Sequence, residues 1–152
     1  MAIWFHTHLR RMSVRAKTIQ RVTQSILEQA GHPSDQLSLS LVGKTRMRSL
    51  NRKYRGREYP TDVLAFPMES LGKPTAVFLG DVVICLPVAV GQASRFDNTP
   101  DQEILRLLIH GTLHLLGYDH ERSQREATRM QRKERAIFQT LSPIPPLLAS
   151  IG

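Results

Sequence analysis

Thr99-Pro100-Asp101-Gln102-Glu103-Ile104-Leu105-Arg106-Leu107-Leu108-Ile109-His110-Gly111-Thr112-Leu113-His114-Leu115-Leu116-Gly117-Tyr118-Asp119-His120 holds both a helix and a constellation of histidines. Thr99 is suited to cap the helix, Pro100 to its first position, and Asp101 and Glu103 to its electropositive first turn. Apolar residues then occur nearly all round, at Ile104, Leu105, Leu107, Leu108, Leu113 and Leu115, which predicts a central helix buried on several sides. Gly117 stops it, because glycine readily takes the left-handed conformation that reverses a chain at a helix end. His110 and His114, four residues apart, project from one face, and the reversal at Gly117 lets His120 swing back toward them.

The elements around this helix are short. Ala2-Ile3-Trp4-Phe5 reads as a strand, and Val14 to Ala30 as a helix with one apolar face, closed by Gly31 and Pro33. Leu37, Leu39 and Leu41 alternate with Ser38, Ser40 and Val42 as in a strand with one buried face. Met47, Leu50 and Tyr54 follow at helical spacing. Pro60 and Pro67 bracket a strand over Thr61 to Phe66, and Gly72-Lys73-Pro74 marks a loop. Val77 to Leu86 is β-rich, with a bulge or close backbone approach expected near Gly80-Asp81, and Pro87 opens a helix reaching about Phe96. Ser123 to Phe138 forms a last, highly charged helix, while the Pro-rich tail of about 142–152 is not helical. The order predicts an α+β domain spanning 1–152, with about four strands and helices packed on the sheet. No Gly-rich phosphate loop points to a nucleotide-binding fold.

The 152 residues are 41% hydrophobic and 22% charged, a soluble globular mix that argues against disorder. No apolar run approaches the roughly 20 residues that cross a bilayer. The single cysteine, Cys85, sits in an apolar run and reads as a buried hydrophobe in a reducing, cytoplasmic compartment. The formal charge of +8 is uneven: residues 1–57 hold twelve Lys/Arg against two acids, Glu28 and Asp35, whereas 58–152 are slightly acidic. Lys44, Arg46, Arg48, Arg52, Lys53, Arg55 and Arg57 place seven cations in fourteen residues without an acid. A solvated basic face and a membrane surface are possible uses of such a block, but one sign of charge at that density favours a nucleic-acid partner.

Isolated histidines such as His6, His8 and His32 read as ordinary surface or core residues. Half of the six histidines, however, fall within eleven residues at His-x3-His-x5-His spacing on an apolar helix, where imidazoles without a partner are costly to bury. Three imidazoles with a fourth position open to water are how proteins build a hydrolytic zinc site. The affinity order of divalent metals favours zinc, and spacing alone leaves nickel, iron and manganese open. The spacing equals that of metzincin proteases, but their Glu after the first histidine, the general base, is Gly111 here, so a peptidase lacks its catalyst. A mid-helix glycine costs about 1 kcal/mol relative to alanine, and close packing or room for a bulky substrate would explain it.

His110 to His120, with Leu50-Asn51-Arg52-Lys53-Tyr54-Arg55-Gly56, Pro60-Thr61-Asp62-Val63-Leu64-Ala65-Phe66-Pro67 and Leu79-Gly80-Asp81-Val82-Val83-Ile84-Cys85, resembles the YbeY family of rRNA maturation endoribonucleases. The resemblance covers roughly residues 37–138. It implies a zincin-like α+β metal-dependent hydrolase that cuts single-stranded RNA, acts in 16S rRNA 3′-end maturation and ribosome quality control, and binds one zinc through His110, His114 and His120. It also implies a functional role for Arg55. Zinc held by neutral histidines can bring the pKa of its water near 7, and Arg55 can hold the scissile phosphate through a two-pronged hydrogen bond. Lys44, Arg46, Arg48, Arg52, Lys53 and Arg57 would then guide the RNA, from rRNA or ribosomal particles with possible ribosomal protein partners, toward the metal.

The residues leave the general base open. Asp119 can orient His120, accept a proton, or simply favour the turn, while Asp62 and Asp81 suit turns and strand ends as well as catalysis. The nucleophile, water or a ribose 2′-hydroxyl, is equally open. The rival to an endoribonuclease is a non-catalytic RNA-binding ribosome assembly factor with a structural metal.

Overall fold

The computed structural model describes residues 3–7, 9, 12–68 and 77–151; Ala2, His8 and the Gly72-Lys73-Pro74 loop lie outside them. The strands β1 (Ile3–Thr7), β3 (Gln36–Val42), β5 (Phe78–Cys85) and β4 (Val63–Pro67) form one sheet in that order, after β2 (Met12–Val14) is counted along the chain. β1 and β5 run parallel to β3, and β4 is an antiparallel edge strand. The helices are α1 (Ala16–Gln29), α2 (Lys44–Arg55), α3 (Leu86–Gln92) with a 3-10 turn to Phe96, α4 (Pro100–Leu115) and α5 (Gln124–Leu141).

α4 has the expected cap and more. The Thr99 hydroxyl accepts from the Gln102 amide, and the Gln102 side chain accepts from the Thr99 amide, a reciprocal box absent from the sequence reading. Ile104, Leu105, Leu107, Leu108, Ile109 and Leu113 are all buried, in one cluster with Leu37, Leu39 and Leu41 of β3 and with α1, α3 and α5. β3 departs from a single buried face. Val42, Met47, Leu64, Val83 and Cys85 form a second cluster under α2, on the opposite side of the sheet, so β3 is an interior strand covered on both faces. Cys85 is buried as expected, and burial raises its pKa.

Three local expectations change. Val14 is not helical; it belongs to β2, which pairs antiparallel with β6 (Leu148–Ile151). Non-helical Ser142–Leu147 thus leads into a strand, anchored where Asp101 Oδ1 accepts from the amides of Leu147 and Leu148, each at 3.0 Å. The helix after Pro87 is α only to Gln92 and then tightens.

The predicted disturbance at Gly80 takes both forms: β5 shifts register against β3 between Phe78 and Asp81, and Gly80, with φ of +134°, comes so close to the Phe66 carbonyl on β4 that a Cβ there would clash with it. Gly111 is where α4 meets β5. A Cβ on Gly111 would lie 2.7 Å from Val82 Cγ1, so close packing explains the mid-helix glycine.

α4 also carries a buried acid. Glu103 is fully buried and accepts from Gln92, Asn98 and Arg106, the last through two bonds of 2.8 and 2.6 Å. Burial opposes its ionisation, but the bonds from Arg106, Asn98 and Gln92 outweigh it and hold the carboxyl below its ordinary 4.5. A depressed carboxyl pKa gives stability that is present above its unfolded value and lost as pH falls through the folded one.

Gly111→Ala is expected to lower stability by about 1–3 kcal/mol in urea unfolding, overpacking outweighing the gain in helix propensity. Glu103→Ala is expected to cost about 3 kcal/mol by removing the buried carboxylate from Asn98 and Arg106 and leaving Gln92 only its bond to Asp62. The same unfolding measured from pH 7 to 3 should show wild-type stability falling below pH ~4.5 more steeply than that of Glu103→Ala.

Candidate metal centre

α4 delivers His110 and His114 one turn apart, and its end brings in His120. The amides of Gly117 and Tyr118 donate to the carbonyls of His114 and Leu113 at 3.1 and 3.0 Å, and Gly117 has φ of +98°. This left-handed stop folds the chain back. The three rings converge with centroids 4.7, 5.3 and 5.1 Å apart, and one nitrogen from each lies within 4.8 Å of the others. They could hold a metal ion.

The donor chemistry fits one. His110 Nδ1 lies 2.7 Å from Glu134 Oε2 on α5. A carboxylate only accepts, so Nδ1 carries the proton and Nε2 keeps its lone pair for a ligand. Burial, with His110 and His120 alongside, lowers the pKa of His114 from its ordinary value and favours the neutral ring that a metal needs.

Glu134 was missed as a functional residue. Its spacing with Glu126, Met130 and Ile137 was visible in the sequence, but its partner lies 24 residues earlier on another helix. Only the packing of α5 on α4 brings the two together.

The histidines open into a cleft of about 520 Å³. Its other walls include Arg55, Asp62, Tyr118 and Asp119, and Val63, Ala65 and Pro67 of β4. Arg55 is the last residue of α2, which Gly56 ends with φ of +67°. Buried Asn51 donates to the Tyr59 carbonyl at 2.8 Å and so pins the loop that leaves the helix.

Arg55 alone of the seven clustered cations lines the histidine cleft. Lys44, Arg48, Arg52, Lys53 and Arg57 are exposed; Lys53 lies over the Tyr54 ring and Arg57 donates to the Tyr59 hydroxyl. Arg46 lines a separate groove with His6, Ser40, Tyr54 and Asp81.

The carboxylates separate. Asp81 faces away from the histidines, because alternate side chains point to opposite faces of a strand and the adjacent Val82 is the one touching α4. Asp62 lines the cleft but is engaged at the start of β4, accepting from the Val63 amide at 2.8 Å and from Gln92 at 2.9 Å. Asp119 Oδ1 accepts from the Glu121 amide at 2.9 Å, within the turn that returns His120.

Mixed α+β architecture with three histidines in an open cleft walled by an antiparallel edge strand is the zincin-like arrangement that the sequence resemblance implied. The family model described as Endoribonuclease YbeY matches residues 5–142, which takes in the end of β1 and all of α1 as well as the motifs. A protein of that name from Persephonella marina is 42% identical over 132 residues, 85% of each chain. One from Sulfurihydrogenibium is 39% identical over 129 residues, again 85% of each. A solution structure of a Thermotoga maritima protein aligns with a TM-score of 0.63 at 27% identity, covering 90% of this chain and 87% of that one. The chain belongs to the YbeY endoribonuclease family, as the four sequence motifs indicated.

Glu134→Gln is expected to weaken zinc affinity by about 10- to 100-fold in competition with a chromophoric chelator, while unfolding of the metal-free protein changes by less than about 1 kcal/mol.

Proposed function

We propose that the chain is a zinc-dependent endoribonuclease specific for single-stranded RNA, acting in the cytoplasm in 16S rRNA 3′-end maturation and ribosome quality control. The observation that carries this reading is the open three-histidine cleft with the Arg55 guanidinium on its wall. His110, His114 and His120 hold the ion. When bound, zinc acidifies water and neutralises charge on a phosphoryl oxygen.

The chain's own residues do the rest. Glu134 fixes the His110 ring by bonding Nδ1. Arg55 grips two oxygens of the scissile phosphate and meets the charge that grows on them in the transition state. The bond that Asp119 accepts from the Glu121 amide supports a positioning role, shaping the turn that aims His120. Lys44, Arg46, Arg48, Arg52, Lys53 and Arg57 supply the salt-sensitive attraction that gathers an RNA backbone from rRNA or ribosomal particles, with ribosomal proteins as partners. Among the described residues no helix is long and apolar enough to cross a membrane.

Single-stranded RNA cleavage and metal content measured side by side test this. His114→Ala should lose both metal and cleavage, and chelation should abolish wild-type cleavage until zinc is restored. Arg55→Ala should keep its metal and lose about 100-fold or more in turnover, the scale of removing one preorganised donor to transition-state charge. Wild-type protein that binds zinc and RNA yet cuts nothing would instead establish a structural metal.

A further inference from the structure

α5 carries cations that the average charge of its half of the chain conceals. Arg125, Arg129, Arg132, Lys133 and Arg135 lie on the helix and Arg122 just before it, against two acids over the same stretch, Glu126 and Glu134. Both acids have partners: Glu134 meets His110 at 2.7 Å, and Glu126 meets Arg129 at 3.4 Å. Arg125, Arg129 and Arg132 recur at steps of four and three, so they share one face of the helix. With Lys133 and Tyr118 they line a groove of about 600 Å³ that has no acid in its wall.

Two features make this groove more than a solvated helix face. Arg125 and Arg132 are exposed and have neither an ion pair nor a hydrogen-bond partner among the described residues. Tyr118, whose ring lies 4.4 Å beneath the Arg129 guanidinium, also lines the histidine cleft, so the two hollows share a wall. An extended polyanion leaving the cleft past Tyr118 would meet fork-shaped donors suited to phosphate oxygens.

We infer that the α5 groove is a second RNA-backbone site, in which Arg125, Arg129 and Arg132 hold phosphates of the same strand whose scissile bond lies at the histidines. This rests on the ribonuclease reading and extends it: the strand is held by α5 as well as α2. The ligand is the phosphodiester backbone, not a particular base, because the groove offers charge rather than base-reading amides.

The full-length, zinc-loaded protein can be mixed by stopped flow with a fluorescent 20-nucleotide single-stranded RNA or a trinucleotide over a series of salt concentrations, binding being read before cleavage sets in. Arg125→Ala/Arg132→Ala should bind the long RNA about tenfold more weakly at 0.1 M salt, with the slope of log K against log salt reduced by about 1.4, near 0.7 per lost contact. Trinucleotide affinity should change less than about twofold, and Arg125→Lys/Arg132→Lys should retain the wild-type slope, since charge is conserved. An Ala variant with unchanged affinity and slope overturns the inference while leaving the ribonuclease reading intact; so does a groove that binds poly-glutamate in an Arg125- and Arg132-dependent way without affecting RNA. Wild-type protein that binds no RNA of either length overturns both readings.

Discussion

The close seating of α4 on β5 at Gly111 is the contact on which the centre depends. A helix with a side chain at that position would stand off from Val82, and its histidines would move with it. Interiors are close-packed and yield little to an added methyl group, so the glycine sets how deep His110 and His114 lie relative to β4. Burial then does chemical work: it favours neutral His114, while one side of the ring cluster remains open to the cleft.

Around that helix, polar groups are arranged in two tiers. Deep in the fold, Glu103 gathers Arg106, Gln92 and Asn98, and Gln92 reaches on to Asp62 at the cleft wall. Nearer the surface, Glu134 crosses from α5 to His110, so the docking of α5 and the orientation of a histidine are one event. Both tiers work through satisfied hydrogen bonds in a low-dielectric setting, where an unpaired partner would be expensive. The cations, by contrast, remain outside on α2 and α5, where salt-screened charge suits a polyanion.

Most of the fold was legible because its determinants are local. Capping at Thr99, burial along α4 and the stop at Gly117 follow from residues within one or two turns of each other. β2 and β6 were illegible: each is only three or four residues long, and Met12 finds Ile151 at the other end of the chain. The second buried face of β3 was hidden because Ser38 and Ser40 suggested exposure, whereas Val42 at its far end packs with Met47 of α2 and Val83 of β5.

The candidate site divides along the same line. His-x3-His-x5-His and its reversal at glycine are properties of a single helix end, so the amino-acid order alone determined that three imidazoles could meet. Which groups join them was decided by packing between elements distant along the chain: Glu134 on His110, Arg55 on the cleft wall, and Asp81 on the other side of the sheet. Charge followed suit. Summing signs over 58–152 hides the α5 arginines, because the acids that balance them in composition are committed elsewhere in space, Glu103 in the core and Glu134 at the histidines. Helical periodicity acts over a few residues and can be read in order; electrostatic partnership acts through distance, which only the folded chain defines.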